Sequence, residues 1–342
     1  MTSSMKGMLG IACILLAAGL IALGGCAAPS SAVQPDAPES AAESSPRPSF
    51  DRVRDKEAPP TEPPTDQHAE LAAAVQDILT RFDGTVAVAF LHVGGADDPG
   101  FNVNGDVELT AASMIKLAVL AEVFDQVSRG DLSLDELLTV EYEDLVGGSG
   151  IVQSMGQGVR LSVGDLACYM IAESDNVATN MLIDLVGMEA INEEAANLGL
   201  AHTKLQRHMM DGTAAADGVE NLMSANDAAA VLASIAQGAF YSEELSALAL
   251  EFLEEQSDAS GLLAGLPEGT TFAHKTGMLA NVQNDGGIVE GDSPVRAGDH
   301  DPRRGQRPIA RPHARGGKHD KRDAVEPTHP AFGYASYAFS SV

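Results

Sequence analysis

The sequence predicts an α/β protein whose sheet is built from both ends of the folded body, with a block of helices inserted between them. Two β-branched, apolar segments come early, "GTVAVAFLHVGG" (84–95) and "FNVNGDVEL" (101–109). Two further strand-like segments come late, "TTFAHKTGML" (270–279) and "NDGGIVEG" (284–291). Apolar residues between them recur at helical spacing. This order indicates one α/β layer with an all-helical insertion.

The chain that precedes this body is predicted to be an export signal and a tether. Lys6 is followed by an apolar run that ends in small residues, which is typical of a signal peptide over residues 1–25. The run ends in "LGGC", which resembles a bacterial lipobox with Cys26 as the lipidated residue. Residues 26–65 are rich in Pro, Ser, Ala and charge, so we expect a disordered linker. A plain signal peptide or an uncleaved anchor are the alternatives.

The body itself, residues 66–295, carries a series of predicted helices. Their spans, in chain order, are 66–83, 110–120, 126–140 with its loop, 161–187 with an interruption at 174–176, 188–200, 224–240 and 242–256.

Charge and cysteine content limit the possible functions. The 342-residue chain has a formal net charge of −28, so we expect no nucleic-acid partner and a strongly solvated surface. Of the three cysteines, Cys13 and Cys26 lie in the apolar N-terminal run, and only Cys168 lies in the body. No disulfide within the body is therefore available.

The segment "TAASMIKLAV" (110–119) places a hydroxyl and an ammonium in a helix that is apolar nearly all round. Ser113 and Lys116 are three residues apart, so they project from the same face. Burial lowers the pKa of a lysine, and a neutral amine beside a hydroxyl can act as a general base for a serine nucleophile. Thr110 is a possible cap for this helix. The structural alternative is a back-bonding serine and a lysine that extends to solvent.

Two further polar motifs follow in the chain. Ser174-Asp175-Asn176 interrupts two apolar helices, where a second hydroxyl could relay a proton and an amide could hold a substrate carbonyl; an ordinary N-cap is the alternative. Lys275-Thr276-Gly277 lies in a predicted strand, where a cation and a hydroxyl could bind a substrate carboxylate beside a glycine that allows close approach. An edge-strand lysine beside a turn is the alternative.

The three motifs in this order, on a helix start, an interhelical loop and a late strand, resemble those of the class A β-lactamases and related penicillin-recognising serine hydrolases. The resemblance covers about residues 66–295. It implies the serine β-lactamase/transpeptidase-like fold, with an antiparallel sheet flanked by helices. It also implies that Ser113 is acylated, that Lys116 and Ser174 transfer protons, and that Asn176, Lys275, Thr276 and Gly277 bind substrate. The N–H groups of Ser113 and Met278 would then form the oxyanion hole.

The loop that should supply a deacylation base departs from the family pattern. In class A β-lactamases a glutamate after the Ser-Asp-Asn motif activates water. Here Arg207 fits the structural arginine of that loop, but the expected glutamate position falls near Met209. Asp211 is the nearest carboxylate and a possible base, whereas Glu220 could instead pair with Arg207. A glycine-rich segment, "GGSGI" (147–151), also replaces a more polar or aromatic stretch.

The C-terminal part departs more strongly. Residues 296–342 are rich in Arg, Pro, Gly and His where the family would continue with an apolar strand and a helix. We predict a basic, disordered tail and hypothesise that a frameshift produced it. A tail that binds an anionic polymer, or a histidine metal site, are the functional alternatives.

The sequence therefore predicts a lipid-anchored, extracytoplasmic serine hydrolase that opens β-lactam amides through Ser113. The alternatives are a penicillin-binding, D,D-peptidase-like or esterase-like hydrolase with slow deacylation, and a non-catalytic wall-binding lipoprotein or inactive relative. We expect a β-lactam or peptidoglycan-like small substrate, membrane contact only through the lipid, and a monomer. No metal or organic cofactor is expected.

Overall fold

The structure is a computed structural model that describes residues 66–81, 84–93, 100–291 and 333–341. All of these belong to one compact unit, Ser45–Val342. The predicted signal peptide, the linker with Cys26, and residues 296–332 lie outside the described residues, so those predictions remain predictions. Among the described helices, none combines the length and apolar character needed to cross a membrane.

Five of the described strands form one antiparallel sheet from both ends of the body, as predicted. Its members are β1 (Val86–Val93), β2 (Phe101–Val103), β7 (Phe272–Leu279), β8 (Val282–Gly291) and β9 (Gly333–Ser341). Their spatial order is β2-β1-β9-β8-β7. Two small two-stranded sheets accompany it, formed by β3 (Leu109–Thr110) with β6 (Leu222–Met223) and by β4 (Leu137–Thr139) with β5 (Arg160–Ser162).

The prediction of a disordered tail over 296–342 is wrong for β9. This strand pairs with β1 along its whole length, from Val86 opposite Ser341 to Val93 opposite Tyr334, and with β8 on its other side. β9 therefore fills the place between the N-terminal and C-terminal strands. Its three aromatic residues, Tyr334, Tyr337 and Phe339, are of a type that is enriched in strands.

Helices fill the middle of the chain. The α-helices are α1 (Asp66–Leu79), α2 (Lys116–Arg129), α3 (Val152–Met155), α4 (Val163–Ala172), α5 (Asn176–Val186), α6 (Met188–Asn197), α7 (Gly212–Ala216), α8 (Ala225–Ala236) and α9 (Glu243–Glu254). Short 3₁₀ turns cover Ala112–Ile115, Tyr142–Asp144 and Leu262–Gly265. Ser224 caps α8, since its hydroxyl accepts a hydrogen bond from the Asp227 N–H at 3.1 Å.

Helix α2 is the central element of the core. Its residues from Lys116 to Asp125 are all buried, which its nearly continuous apolar surface predicts. Phe124 packs against Phe240 and Phe252, with ring centroids 5.9 and 6.5 Å apart. Because α2 follows the Ala112–Ile115 turn without a break, this packing also fixes the position of the turn and of Ser113 within it.

Candidate active site

Ser113 lies in the 3₁₀ turn that connects β3 to α2. It is half-buried, and the preceding residue, Ala112, has a left-handed backbone with φ of 47°. Such a conformation is costly for a residue other than glycine and is held by the surrounding structure. The sequence offered Thr110 as a possible cap of this helix, but Thr110 does not cap it. It lies on β3, and the turn has no side-chain cap.

The late strands hold this turn directly. A Cβ atom added at Gly277 of β7 would lie 2.9 Å from the Ala111 carbonyl oxygen and 3.1 Å from the Ser113 nitrogen, so only glycine allows this approach. On β8, the Asn284 amide donates to the carbonyls of Thr110 (2.9 Å) and Ala111 (3.0 Å). The predicted Gly277 therefore lies against Ser113.

Lys116 is fully buried, and its ammonium points to the Ser-Asp-Asn loop. Its Nζ donates to the Ser174 carbonyl at 2.7 Å, and lies 3.1 Å from Ser174 Oγ and 3.0 Å from Asn176 Oδ1. Burial lowers the pKa of Lys116 well below the ordinary lysine value, the charge of Lys275 lowers it further, and Asp175 opposes the shift. The neutral amine expected of a general base is therefore accessible here.

Lys275 approaches the same hydroxyl from β7. Its Nζ lies 3.0 Å from Ser174 Oγ and donates to the Thr276 carbonyl at 2.8 Å. Burial lowers the pKa of Lys275 to about 7, against the opposing charges of Asp285 and Asp258. Ser174 Oγ thus bridges the two lysines, and three motifs that are far apart in sequence meet at one oxygen.

The Ser-Asp-Asn loop is held in an unusual conformation by Asp175. Ser174 has a left-handed backbone with φ of 50°. The Asp175 carboxylate caps α5 by accepting a hydrogen bond from the Ala178 N–H at 2.9 Å. It also accepts from the N–H groups of Ile151 (2.6 Å) and Val152 (2.7 Å). The loop therefore contains the N-cap that was the alternative interpretation, and it also places the Ser174 hydroxyl beside the two lysines. The carboxylate role of Asp175 was not predicted, because its partners at 151 and 152 lie far from it in sequence.

The glycine-rich segment 147–151 forms the neighbouring wall. Asn176 Nδ2 donates to the Gly147 carbonyl at 3.1 Å, and the Asn176 N–H donates to the Ser149 carbonyl at 3.1 Å. A Cβ atom at Gly150, where φ is 113°, would overlap the Asp175 carboxylate. Close packing against the loop explains why small residues stand here.

The predicted substrate-binding residues of β7 differ in exposure. Thr276 is nearly buried, whereas Met278 is half-exposed at the end of the strand. They flank Gly277 on β7, so their side chains point to the face opposite to the one that a Cβ atom on Gly277 would occupy. The roles that the resemblance assigns to them, including an oxyanion hole made by the N–H groups of Ser113 and Met278, stay predictions.

The loop after α6 has no glutamate at the expected position. Arg207 Nη2 pairs with Glu220 Oε2 at 2.6 Å, the alternative anticipated for Glu220. Met209 is buried, and its main chain is fixed by Asn180, whose Oδ1 accepts from the Met209 N–H at 2.8 Å. Asp211 caps α7 by accepting from Thr213 (3.1 Å) and Ala214 (3.0 Å), so the structure gives this carboxylate a structural role.

One acidic group elsewhere in the described chain has the spacing of metal ligands. Carboxylate oxygens of Glu122, Asp125 and Glu194 lie within 4.8 Å of one another, between α2 and α6. Gln126, Arg129 and Tyr241 hydrogen-bond or pair with these carboxylates. The group shares no residue with the cluster around Ser174.

The fold, and the meeting of Lys116, Ser174 and Lys275 next to the turn that carries Ser113, define a serine hydrolase of the penicillin-recognising type. A sequence profile of the β-lactamase enzyme family, Beta-lactamase2, matches residues 70–297. The chain belongs to this family.

Individual relatives agree with this assignment. The extended-spectrum β-lactamase PER-1 of Pseudomonas aeruginosa is 29% identical over 218 residues, which cover 60% of this chain and 68% of the relative. The β-lactamase SME-1 of Serratia marcescens is 24% identical over 210 residues, which cover 60% of this chain and 70% of the relative.

Solved structures give the same fold. A β-lactamase from Sphaerobacter thermophilus superposes with a TM-score of 0.61 at 28% identity, covering 79% of this chain and 87% of that one. PBP-A superposes with a TM-score of 0.63 at 25% identity, covering 82% and 89%. A point mutant of PBP-A, solved as an acyl-enzyme complex with penicillin G, gives 0.64 at 25% identity with the same coverage.

Proposed function

We propose that the protein opens β-lactam amide bonds by forming an acyl-enzyme on Ser113. The observation that carries this proposal is the buried Lys116 amine, one helical turn after Ser113 and within hydrogen-bond distance of Ser174 Oγ. A nucleophilic hydroxyl needs an adjacent base, and burial makes Lys116 that base.

The contacts of Lys116 suit proton transfer from Ser113 to Ser174. A neutral amine has two hydrogens, which can be donated to the Ser174 carbonyl and to Asn176 Oδ1, and one lone pair, which can take the Ser113 proton. The ammonium so formed can donate its third hydrogen to Ser174 Oγ. Ser174 Oγ can then accept from Lys275. This arrangement supplies a continuous path for a proton between Lys116 and Ser174.

In the proposed reaction, Ser113 Oγ bonds to the lactam carbonyl carbon, and its proton passes to Lys116. The carbon–nitrogen bond then breaks, and the proton passes through Ser174 to the departing nitrogen. Backbone N–H groups beside the carbonyl would stabilise the developing oxyanion. Hydrolysis of the resulting ester needs a water molecule and a base.

A second function, that of a penicillin-binding, D,D-peptidase-like hydrolase, is favoured by Met209. Its thioether side chain cannot remove a proton from water, and Asp211 is used as a helix cap. The acyl-enzyme is therefore proposed to be long-lived. Similarity to PBP-A supports this function, since an acyl-enzyme complex with penicillin G is known for a mutant of that protein.

Fluorescent penicillin and a chromogenic cephalosporin test the proposal together. We expect one-to-one labelling of the wild type with slow cephalosporin turnover, and no labelling of Ser113→Ala at an unchanged melting temperature. The control Ser149→Ala removes an exposed hydroxyl from the neighbouring wall and should still be labelled. Labelling of Ser113→Ala would show that the nucleophile is misassigned, and fast turnover by the wild type would favour the β-lactamase over the D,D-peptidase-like function.

We further propose that the mature protein is held at the outer face of the bacterial cell membrane by lipid on Cys26. The lipobox-like ending and the unfoldable composition of residues 26–65 support this proposal. Full-length protein expressed in bacteria should partition into the detergent phase, and Cys26→Ser should move it to the aqueous phase. Equal partitioning of the two would contradict lipidation.

A further inference from the structure

An exposed thioether lies beside the Ser-Asp-Asn loop. Met210, in the loop after α6, is 55% exposed. A Cβ atom added at Gly148 would lie 3.0 Å from Met210 Sδ and 2.6 Å from Asn176 Nδ2. The sulfur and the Asn176 amide therefore approach the same point on the glycine-rich wall, and Gly148 has no side chain that would separate them. Met210 is thus a neighbour of a residue to which the resemblance assigns substrate binding.

The main chain on both sides of Met210 is fixed. Asn180 holds the preceding residue, Met209, by accepting from its N–H at 2.8 Å and donating to its carbonyl at 3.1 Å. The following residue, Asp211, caps α7. Met210 itself has a left-handed backbone with φ of 65°, which is costly for a residue other than glycine. The loop therefore holds the backbone of Met210 in one conformation beside Gly148, although the side chain is exposed.

The Asn176 amide has two hydrogens, and one of them is used within the wall. Its Nδ2 donates to the Gly147 carbonyl at 3.1 Å, while its Oδ1 accepts from Lys116 Nζ at 3.0 Å. The second hydrogen can be donated to a substrate carbonyl, which is the role that the resemblance implies. Because a thioether is only a weak acceptor, Met210 leaves this hydrogen available.

Oxidation of the sulfur would change this contact. When hydrogen peroxide reacts with Met210, its O–O bond breaks, an S–O bond forms at Sδ, the sulfur loses two electrons and the peroxide is reduced to water. The product, methionine sulfoxide, is polar, and its oxygen accepts hydrogen bonds. That oxygen can take the second hydrogen of the Asn176 amide, and it also fills space next to Gly148. A substrate carbonyl would then lose its donor.

We propose that Met210 is an oxidative modification site, at which conversion to the sulfoxide by a peroxide slows the acylation of Ser113. The proposal rests on the proposed function, because it concerns the rate at which Ser113 would be acylated. It concerns the formation of the acyl-enzyme and not its hydrolysis. Because reductases convert methionine sulfoxide back to methionine, the modification is reversible.

The test measures the second-order rate of acylation by benzylpenicillin before and after treatment with hydrogen peroxide. Intact-protein mass spectrometry follows the rate, and peptide mapping locates the added oxygen. In the wild type, oxygen should be found on Met210 and the rate should fall at least about fivefold, the effect of one lost hydrogen bond. Methionine sulfoxide reductases should restore the rate.

A second variant mimics the modification without any oxidant. Glutamine carries an oxygen on its δ atom, as methionine sulfoxide does, and this oxygen accepts hydrogen bonds. Met210→Gln should therefore be acylated at least about fivefold more slowly than the untreated wild type. A wild-type rate in Met210→Gln, together with a wild-type protein that keeps its rate when Met210 is oxidised, would overturn the proposal.

Two leucine variants identify the methionine that is responsible. Met210→Leu keeps an apolar side chain without sulfur, so peroxide should leave its rate nearly unchanged. The matched control, Met155→Leu, removes a thioether that is 37% exposed on α3, and it should lose as much activity on oxidation as the wild type. Met278 is 54% exposed and is oxidised as well. An equal loss in oxidised Met210→Leu and wild type would therefore assign the effect to another methionine and overturn the proposal.

The side-chain amide of Asn176 separates this proposal from the proposed function. If the untreated wild type is not acylated, the proposed function fails. NMR of the Asn176 amide then decides, without substrate, whether the sulfoxide contacts it. Peroxide should shift this resonance in the wild type and leave it in place in Met210→Leu. An unshifted resonance in the oxidised wild type, or a Met210 that peroxide does not oxidise, would overturn the proposal.

Discussion

Single residues decide the chemistry of this site, and only some of their contacts can be predicted from the sequence. Burial of Lys116 follows from the apolar residues on every side of it, and the structure confirms it. That Ser174 Oγ would bridge Lys116 and Lys275 required the three-dimensional fold. The buried contact between His274 Nδ1 and Asp285 Oδ1, at 2.9 Å, was not predicted. The adjacent polar residues Asn284 and Asp285, in a strand otherwise free of charge up to Val289, were a usable signal.

A glutamate at position 209 should supply the missing base. Asn180 fixes the main chain of Met209, so a side chain there is held in one position beside α5. We expect Met209→Glu to shorten the lifetime of the penicillin acyl-enzyme by at least about a hundredfold, the lower range for a positioned general base. The decay of the adduct mass after removal of free penicillin measures it.

Position 210 offers a matched control. Met210 is exposed and stands next in the chain, so Met210→Glu adds the same charge without the same positioning. The adduct should persist in Met210→Glu, and likewise in Asp211→Asn, in which asparagine still caps α7. Faster decay in Met210→Glu than in Met209→Glu would show that the loop position is misassigned.

Among the secondary-structure elements, the pair α2 and α6 holds a group of three carboxylates, Glu122, Asp125 and Glu194, outside the site. Burial raises the pKa of Glu122, the carboxylates of Asp125 and Glu194 raise it further, and Gln126 and Arg129 oppose the shift. A raised carboxyl pKa means that the folded state keeps a proton that the unfolded state releases. The free energy of unfolding therefore falls as pH rises from the ordinary glutamate pKa through the raised one.

Glu122→Gln should consequently stabilise the protein above this pH range. Glutamine cannot ionise, yet it can still accept from Gln126. At pH 8 we expect a gain of about 1 kcal/mol, or roughly 2–4 °C in melting temperature, which shrinks towards pH 4. Differential scanning calorimetry at several pH values measures it. Glu193→Gln, an exposed change on α6, should have no such effect; a loss of stability in Glu122→Gln at pH 8 would contradict the assigned repulsion.

The predicted elements agree with the structure where the hydrophobic pattern is strong. The late strands were expected at 270–279 and 284–291 and are found at Phe272–Leu279 and Val282–Gly291. The sequence predicted a helix with its loop over 126–140, but α2 already ends at Arg129. The next residue, Gly130, adopts a left-handed conformation with φ of 77°. A glycine that ends a helix in this way is a local signal that helical periodicity alone does not include.

At the scale of the whole molecule, the sheet depends on a strand from the part of the chain that the sequence predicted to be disordered. The composition of residues 296–342 is typical of a disordered segment. The strand-like pattern of β9 covers too few residues to change that prediction. Its place between β1 and β8 arises from long-range pairing, which local sequence does not encode. The frameshift hypothesis stays a prediction.

Proline within β9 tests this placement. Ala338 pairs with Ala89 on one side and with Gly286 on the other, so Ala338→Pro removes a backbone donor from a strand with two neighbours. We expect a loss of at least about 2 kcal/mol, seen as a lower midpoint in urea unfolding. Ala338→Gly keeps the donor and should cost less. A wild-type midpoint in Ala338→Pro would contradict the position of β9.

The measurement that tests the central claim most directly is the mass and location of the adduct formed with benzylpenicillin. Intact-protein mass spectrometry at intervals, followed by peptide mapping, reports both. The proposed site predicts a single addition of one penicillin, mapped to the peptide that contains Ser113 and still present after free penicillin is removed. Absence of an adduct at saturating penicillin, or an adduct on any other residue, would contradict it.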